Sequence, residues 1–404
     1  MDLESGHPWW TVRNALPGAF PPLQADLRCD VAVIGAGITG ALVAREFAAH
    51  GHEVAVLDRR EAGWGSTSAS TALLQYEIDT PMRELARRYD EASAVLAYRA
   101  CLEAIGDLRE AVRGLPGVGF VRSDSLYYAS RPRDLRGLRA EFELRERHGF
   151  PVRWLDADAV RERHGFAAPG AILSTVAARM DPYRAAWGLL RRLRASGACV
   201  HDRATVVAIE PHARDVLLRT RDGPCLRARH VVVAGGYETQ AWLPRRVARN
   251  RSSYALVTDP VDAGALGTLA RTLLWETARP YLYLRTTTDH RLIVGGEDDA
   301  IDIPARRDRR VAAKAERLMR KARALFPALD LRPAFAWAGT FAETADGLPF
   351  LGTHPRFGPR VLFAMAYGGN GITYSMAGAP LLRALAERRR HPLAGLFGFA
   401  RLQG

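Results

Sequence analysis

Lysine is nearly missing from this 404-residue chain: Lys314 and Lys321 stand alone among 57 basic side chains, and all the others are arginine. The formal charge of +13 is spread along the chain in short groups, such as Arg191 with Arg192 and residues 306–310 and 388–390. A face that concentrates polyanions needs clustered charge, so no specific nucleic-acid partner is expected, and the arginine bias reads as genomic base composition. Cysteine is sparse too. Cys29, Cys101, Cys199 and Cys225 lack the close spacing of a zinc site or redox pair, and no metal site is expected. No stretch approaches the roughly 20 apolar residues of a membrane-spanning helix, and residues 1–10 carry Asp2 and Glu4 rather than a basic start and apolar core. A soluble, cytoplasmic protein without a membrane span is expected. Internal repeats and low-complexity segments are absent, which excludes a solenoid or a long disordered tail.

What the chain does have is length and an apolar fraction of 48%, enough for a large core and for two domains. The clearest local pattern lies near the start. Residues 29–34 form a short β-branched run, Gly35-Ala-Gly37-Ile38-Thr39-Gly40 follows, residues 38–50 have helical apolar spacing ending at Gly51, and residues 53–57 read as a second strand ending on Asp58. This β-α-β unit with GxGxxG at its turn and an acid after the second strand is the dinucleotide fingerprint. Gly35 permits the tight turn, Gly37 leaves the helix N-terminus open to a pyrophosphate, and Gly40 lets helix and strand pack closely. Asp58 can accept hydrogen bonds from ribose hydroxyls, and Arg59 follows it.

NAD and FAD both use such a turn. Two further segments bear on the choice. Gly65, Ser66, Thr67, Ser70 and Thr71 supply small donors just after Asp58, suited to a chain passing beneath a pyrophosphate towards a flavin ring. Near the other end, Tyr367-Gly368-Gly369-Asn370-Gly371-Ile372-Thr373 opens a helix, so unpaired N–H groups converge there. Aimed at the pyrimidine carbonyl of a flavin, they would stabilise negative charge on the ring.

Residues 184–196 read as an amphipathic helix, 200–209 as one or two strands, 230–234 as a buried strand ending in Gly235 and Gly236, and 360–366 as a strand. Residues 81–113 are mainly helical. Segments 252–260, 281–285 and 291–294 alternate like antiparallel strands. The order implies an α/β protein with a Rossmann-type FAD-binding domain at 28–80, 171–245 and 337–390. A discontinuous substrate domain takes 81–170 and 246–336, with a mixed, largely antiparallel sheet.

Together the blocks 30–40 with Asp58, 65–71, 231–236 and 335–373, the last with Trp337-Ala-Gly339 and Asp346-Gly-Leu-Pro-Phe-Leu-Gly352, resemble the D-amino acid oxidase and glycine oxidase superfamily of FAD-dependent amine oxidoreductases. The resemblance spans residues 30–386. It implies oxidation of a carbon–nitrogen bond of a small amine or modified amino acid by hydride transfer to the flavin. It also implies that Val206 and Val207 flank the adenine and that Gly235 approaches the cofactor, with Gly236 beside it. Such chemistry needs orientation and flavin electronics rather than a nucleophilic triad.

Two departures limit what the resemblance implies. Phe341 stands where glycine oxidase-like members place the arginine that grips the substrate carboxylate, and a phenyl ring cannot replace a bidentate clamp. Glu343 is then a candidate amine-binding carboxylate, Arg285 an alternative anion-binding group, and Tyr283 and Tyr367 candidate walls; Trp9, Trp10, Tyr76, Tyr254 and Trp337 could join them in an aromatic pocket. Second, sarcosine oxidase-like members use a lysine near the flavin for reaction with oxygen, and some bond FAD to a cysteine. Both lysines here lie far in sequence from the flavin motifs, and residues 367–373 hold no cysteine. Non-covalent FAD is expected, reoxidised by oxygen or by another acceptor. Two other readings fit parts of the sequence: an NAD-dependent dehydrogenase, which Asp58 suits, and a flavin-bearing component that acts on or binds tRNA, which the positive charge suits.

Overall fold

The computed structural model describes residues 2–300 and 302–402, and among them two sheets, of eight and ten strands, carry the fold. In the eight-stranded sheet, Leu27–Ile34 is central. Val54–Leu57 and then Cys199–His201 lie on one side of it, with Cys225–Val233, Val361–Met365 and Phe350–Thr353 on the other. All these neighbours are parallel except the last pair. Val31, Ala32 and Val33 are buried, as expected of a strand covered on both faces. The helices Ile38–Ala49, Pro182–Ala195 and Gly371–Ala386 pack together on one face. Pro182 opens its helix at the first turn, where its missing N–H costs nothing, and Ala186, Leu189, Leu190 and Leu193 form its buried stripe.

The chain leaves Leu27–Ile34 for one side of this strand and returns on the other through Cys225–Val233. The crevice at the carboxyl ends of these strands is therefore the switch point at which such sheets bind ligands. Segments 35–40, 58–60, 204–206 and 234–236 all emerge there.

The ten-stranded sheet runs Glu4–Gly6, Pro333–Glu343, Arg249–Thr258, Leu292–Asp299, Leu282–Thr286, Thr272–Glu276, Val121–Tyr128, Gly170–Arg179 and Leu73–Gln75, with Val152–Asp156 also on Gly170–Arg179. Only Thr272–Glu276 on Val121–Tyr128 is parallel, so this is the mixed, largely antiparallel sheet expected. One face buries Leu256, Leu284 and Ala338 under Leu318, Met319 and Ala322 of the helix Val311–Leu325. The period of two then turns Trp337, Gly339, Phe341 and Glu343, with Arg249, Arg251, Ser253 and Ala255 beside them, towards the smaller sheet.

Leu73–Gln75, residues 171–179 of Gly170–Arg179 and residues 337–343 of Pro333–Glu343 belong to the segments expected to bind nucleotide, and they hydrogen-bond into the larger sheet. Their partners are remote in sequence, and those partners decide the sheet.

Candidate functional site

A single cavity of about 1760 Å³ runs from the switch point across to the larger sheet. This exceeds the roughly 300–1,000 Å³ of an ordinary small-molecule pocket, so it has room for a dinucleotide and a second molecule.

The glycine turn is built for close approach. Gly35 has φ +115°, and a Cβ there would lie 2.3 Å from the Ala234 carbonyl. At Gly40 a Cβ would lie 1.8 Å from the carbonyl oxygen of Gly35, which is the close helix–strand packing expected of the third glycine. Gly37 meets only the Thr67 hydroxyl. No acidic side chain sits in the first turn of Ile38–Ala49, so its positive end faces the cavity uncompensated. Thr67 Oγ1 accepts the N–H of Ile38 at 3.0 Å, which ties residues 65–71 to that helix start.

Asp58 lines the cavity, its Oδ2 accepting from the Ala36 N–H at 2.6 Å and its Oδ1 from the Arg60 N–H at 2.8 Å. Burial raises its carboxyl pKa, and those two N–H groups offset part of the rise. Arg59 also lines the cavity and donates to Glu238.

Four contacts hold segment 65–71. Ser68 Oγ donates to Glu4 at 2.7 Å, Trp10 Nε1 to the Ser70 carbonyl at 2.7 Å, Trp337 Nε1 to the Ala69 carbonyl at 2.8 Å, and Arg285 Nε to the Thr71 carbonyl at 2.6 Å. Gly65, Ser66, Thr67, Ser70 and Thr71 line the cavity; the Ser66 hydroxyl, like that of Thr239, is buried with no hydrogen-bond partner. Two buried, unsatisfied hydroxyls on the wall are what a polar ligand would complete.

At the opposite wall, Asn370 Nδ2 donates to the Glu77 carbonyl at 2.7 Å, Thr373 Oγ1 to the Gln75 carbonyl at 3.1 Å, and the Gly369 N–H to Asp79 Oδ2 at 2.7 Å. Residues 75–79 thus brace the glycine turn, and the helix Gly371–Ala386 starts with neither an acid in its first turn nor a side-chain cap. Tyr367 is buried, and its hydroxyl donates to the Gly236 carbonyl at 3.1 Å.

The structure brings together on this cavity Gly35, Gly37, Ile38, Thr39, Asp58, Arg59, the segment 65–71 residues, Val206, Gly235, Gly236, Tyr283, Phe341, Glu343, Tyr367 and Gly368 to Thr373. Val207 does not join them. It is 50% exposed on the other face of Val206–Pro211, because neighbours in a strand point opposite ways. Arg285 does not reach the cavity either. It is 2% exposed, and its guanidinium donates to the carbonyls of Thr71, Met180 and Thr286, which makes it a structural clamp. Of the aromatic candidates, Tyr283, Trp337 and Tyr367 line the cavity, whereas Trp9, Trp10 and Tyr76 are core and Tyr254 turns to the outer helix, its ring beneath Lys314 and its hydroxyl donating to Asp299.

Glu343 takes a partner from the next strand, Arg251, whose Nε donates to it. The Tyr283 hydroxyl lies 3.3 Å from Ser253 Oγ, and burial pushes its phenol up to about 12. Asp79, Ser253, Tyr281 and Asp298 also line this end and were not legible in sequence, except that Tyr281 shares the alternation of Tyr283. The four cysteines lie off the cavity lining. Among the described residues, no helix is long and apolar enough to cross a membrane.

Comparison with known proteins gives this geometry a family. The model described as FAD dependent oxidoreductase matches residues 30–385. The glycine oxidase of Geobacillus kaustophilus is 28% identical over 376 residues, covering 90% of this chain and 94% of that protein. Gamma-glutamylputrescine oxidoreductase of Escherichia coli is 28% identical over 390 residues, covering 91% and 87%. Among solved structures, L-proline dehydrogenase from P. horikoshii superposes with a TM-score of 0.77 at 17% identity, covering 94% of this chain and 98% of that one, a likeness of fold.

Proposed function

We propose, from the premise that this chain belongs to the family of FAD-dependent oxidoreductases, that it oxidises the carbon–nitrogen bond of a small amine or modified amino acid. The observation that carries this reading is the continuity of the cavity: one space joins the glycine turn at Gly35, the hydroxyl segment 65–71, the helix start at Gly371 and an aromatic, carboxylate-bearing end at Tyr283. FAD, when bound, supplies the acceptor for the substrate's hydride.

The residues divide the remaining work. The open start of Ile38–Ala49, with Ser66 and Thr67, offers N–H and hydroxyl donors to a pyrophosphate. Asp58 takes the ribose, and Val206 with Gly235 borders the adenine side. The uncapped N–H groups at Gly371 to Thr373 present positive potential where the cofactor takes up electrons. Trp337, Tyr367 and Phe341 supply apolar wall. With its phenol pushed up to about 12, Tyr283 stays protonated at neutral pH and serves as a hydrogen-bond donor that orients substrate, not as a base. A phenyl ring at 341 and a committed Arg285 leave an α-carboxylate without its usual grip. In this reading the smaller sheet with its helices holds the cofactor, and the larger sheet supplies the substrate wall.

The protein is further read as cytoplasmic, with FAD held without a covalent bond, no specific nucleic-acid partner, and reoxidation by oxygen or by a separate acceptor. Purified protein should show a flavin spectrum, release all its flavin on denaturation, and bleach anaerobically with a member of a panel of amines, N-methyl amino acids and D- and L-amino acids. A flavin that no member reduces would defeat the amine reading. Oxygen uptake during turnover tells the two acceptors apart, and nucleic-acid affinity that persists at moderate salt would contradict the absence of that partner.

A further inference from the structure

Beyond Tyr283 the cavity has an annex of about 520 Å³, bordered by Asp79, Asp298, Glu343, Arg251, Arg279 and Tyr281. Its charges do not cancel. Arg251 is committed to Glu343. Arg279 lies over the Tyr281 ring, 4.5 Å from its centre, and donates to the Ala278 carbonyl. Among the described residues neither Asp79 nor Asp298 has an ion pair within 4.0 Å, and Asp298 Oδ1 is buried with no hydrogen-bond partner.

A local irregularity delivers this carboxylate. In the pairing of Arg249–Thr258 with Leu292–Asp299, Ser252 faces Asp299 and Tyr254 faces Gly296, so Glu297 and Asp298 both stand opposite Ser253. This is a β-bulge, a device that re-aims a side chain next to a site. Glu297 adopts φ +56° and turns to Lys314 and Lys321 on the outer helix, while Asp298 turns into the cavity. Gly295 belongs to the same arrangement, because a Cβ there would lie 2.4 Å from the Tyr283 ring.

A carboxylate with one buried, unsatisfied oxygen beside a second carboxylate is complementary to an ammonium group. It is the wrong environment for a substrate carboxylate. It is equally wrong for the nitrogen that reacts. Hydride leaves the carbon beside an uncharged amine, whereas nearby carboxylates hold an amine in its charged form. The nitrogen that fits here is therefore a different one.

We propose that the annex at Asp298 and Asp79 binds a second ammonium group of the substrate, which stays protonated while another nitrogen is oxidised. The substrate class is then diamines and longer aminoalkyl amines. The inference rests on the amine-oxidising reading above and narrows it. Burial pushes the Asp298 carboxyl up to about 6, a hydrogen bond from Ser253 draws it down, Asp79 and Glu343 raise it, and Arg279 lowers it in part. A bound cation relieves that strain.

The test uses the FAD-loaded protein with 1,4-diaminobutane, n-butylamine and 4-aminobutanoate as probes, reading ligand-induced thermal shift and flavin spectral perturbation anaerobically. The diamine is expected to bind about tenfold or more tighter than butylamine, the worth of one charge-assisted hydrogen bond, and 4-aminobutanoate to bind weakest. Asp298→Asn should bring the diamine down to the level of butylamine. If that variant fails to fold, Asp79→Asn makes the same comparison. Equal binding of the diamine and butylamine in the unaltered protein overturns the proposal, as does a preference that survives in both variants. Tight diamine binding without bleaching supports the annex and counts against oxidation, so the two readings fail separately.

Discussion

Arg285 and Thr71 tie the hydroxyl segment to the larger sheet: the arginine lies within a strand of that sheet, and its Nε–H reaches the Thr71 carbonyl at 2.6 Å, at the end of the segment. With the other donors of the guanidinium on Met180 and Thr286, Arg285 sets where segment 65–71 lies.

Arg285→Leu is therefore expected to act on the cofactor and on stability. Each buried carbonyl left unsatisfied costs about 1–3 kcal/mol, so a loss on the order of 3 kcal/mol is expected, with reduced FAD content after purification. Flavin-to-protein absorbance and a thermal midpoint check it. Normal FAD content with a raised substrate KM would return Arg285 to a substrate role.

Asp58→Ala removes an acceptor from the Ala36 and Arg60 N–H groups and the ribose contact assigned to it. Hydrogen bonds to charged groups contribute about 1.5–3 kcal/mol, so FAD affinity should fall by about 10- to 100-fold. Titration of the apoprotein with FAD, followed by flavin fluorescence, measures this. Unchanged affinity would remove Asp58 from the cofactor site.

Arg145 is fully buried between Glu141, at 2.8 Å, and Glu77, at 3.7 Å. Glu141 also accepts the N–H groups of Met82 and Arg83 at the start of the helix Met82–Arg88. Arg145→Met strands two buried carboxylates and should cost about 3–5 kcal/mol. Adding Glu141→Gln and Glu77→Gln should recover part of it. Denaturant midpoints of the single and triple variants decide, and no recovery would mean that packing, not charge, sets the cost.

Burial pushes the Glu4 carboxyl up to about 7 from 4.5, while Ser68 pulls it down, Asp2 raises it, and Arg60 and Arg307 lower it. Because the folded state prefers the protonated form, Glu4's contribution to stability is complete below pH 4.5 and disappears as pH rises through about 7. Glu4→Gln should flatten that dependence. Thermal midpoints of both proteins at pH 5 and pH 8 give the comparison; parallel changes would show that Glu4 does not titrate in this range.

What was legible in the sequence was local. The turn at Gly35 to Gly40, Asp58, the hydroxyls of 65–71 and the helix start at Gly371 each carry their chemistry within a few residues of chain. Asp298 was not legible, because a bulge and not the strand's period aims it at the cavity. Arg285 belongs to an alternating strand, and only partners far away in sequence show that its charge is spent on backbone. Reading Val206 and Val207 together overlooks a signal that was present: adjacent strand residues cannot share a face. Strand Glu4–Gly6 is too short to show any period at all.

That short strand has a consequence for the order of events during synthesis. Glu4–Gly6 pairs with Trp337 to Gly339, Glu4 accepts from Ser68, and buried Arg307 grips the carbonyls of Asp2 and Glu4. The ribosome makes Glu4–Gly6 long before Arg307 and residues 337–339. The clasp over the cofactor loop therefore cannot fasten until residues 337–339 have emerged. A chain cut short before Pro333–Glu343 keeps the entire glycine turn but loses the strand that pairs with Glu4–Gly6 and the Trp337 contact on Ala69.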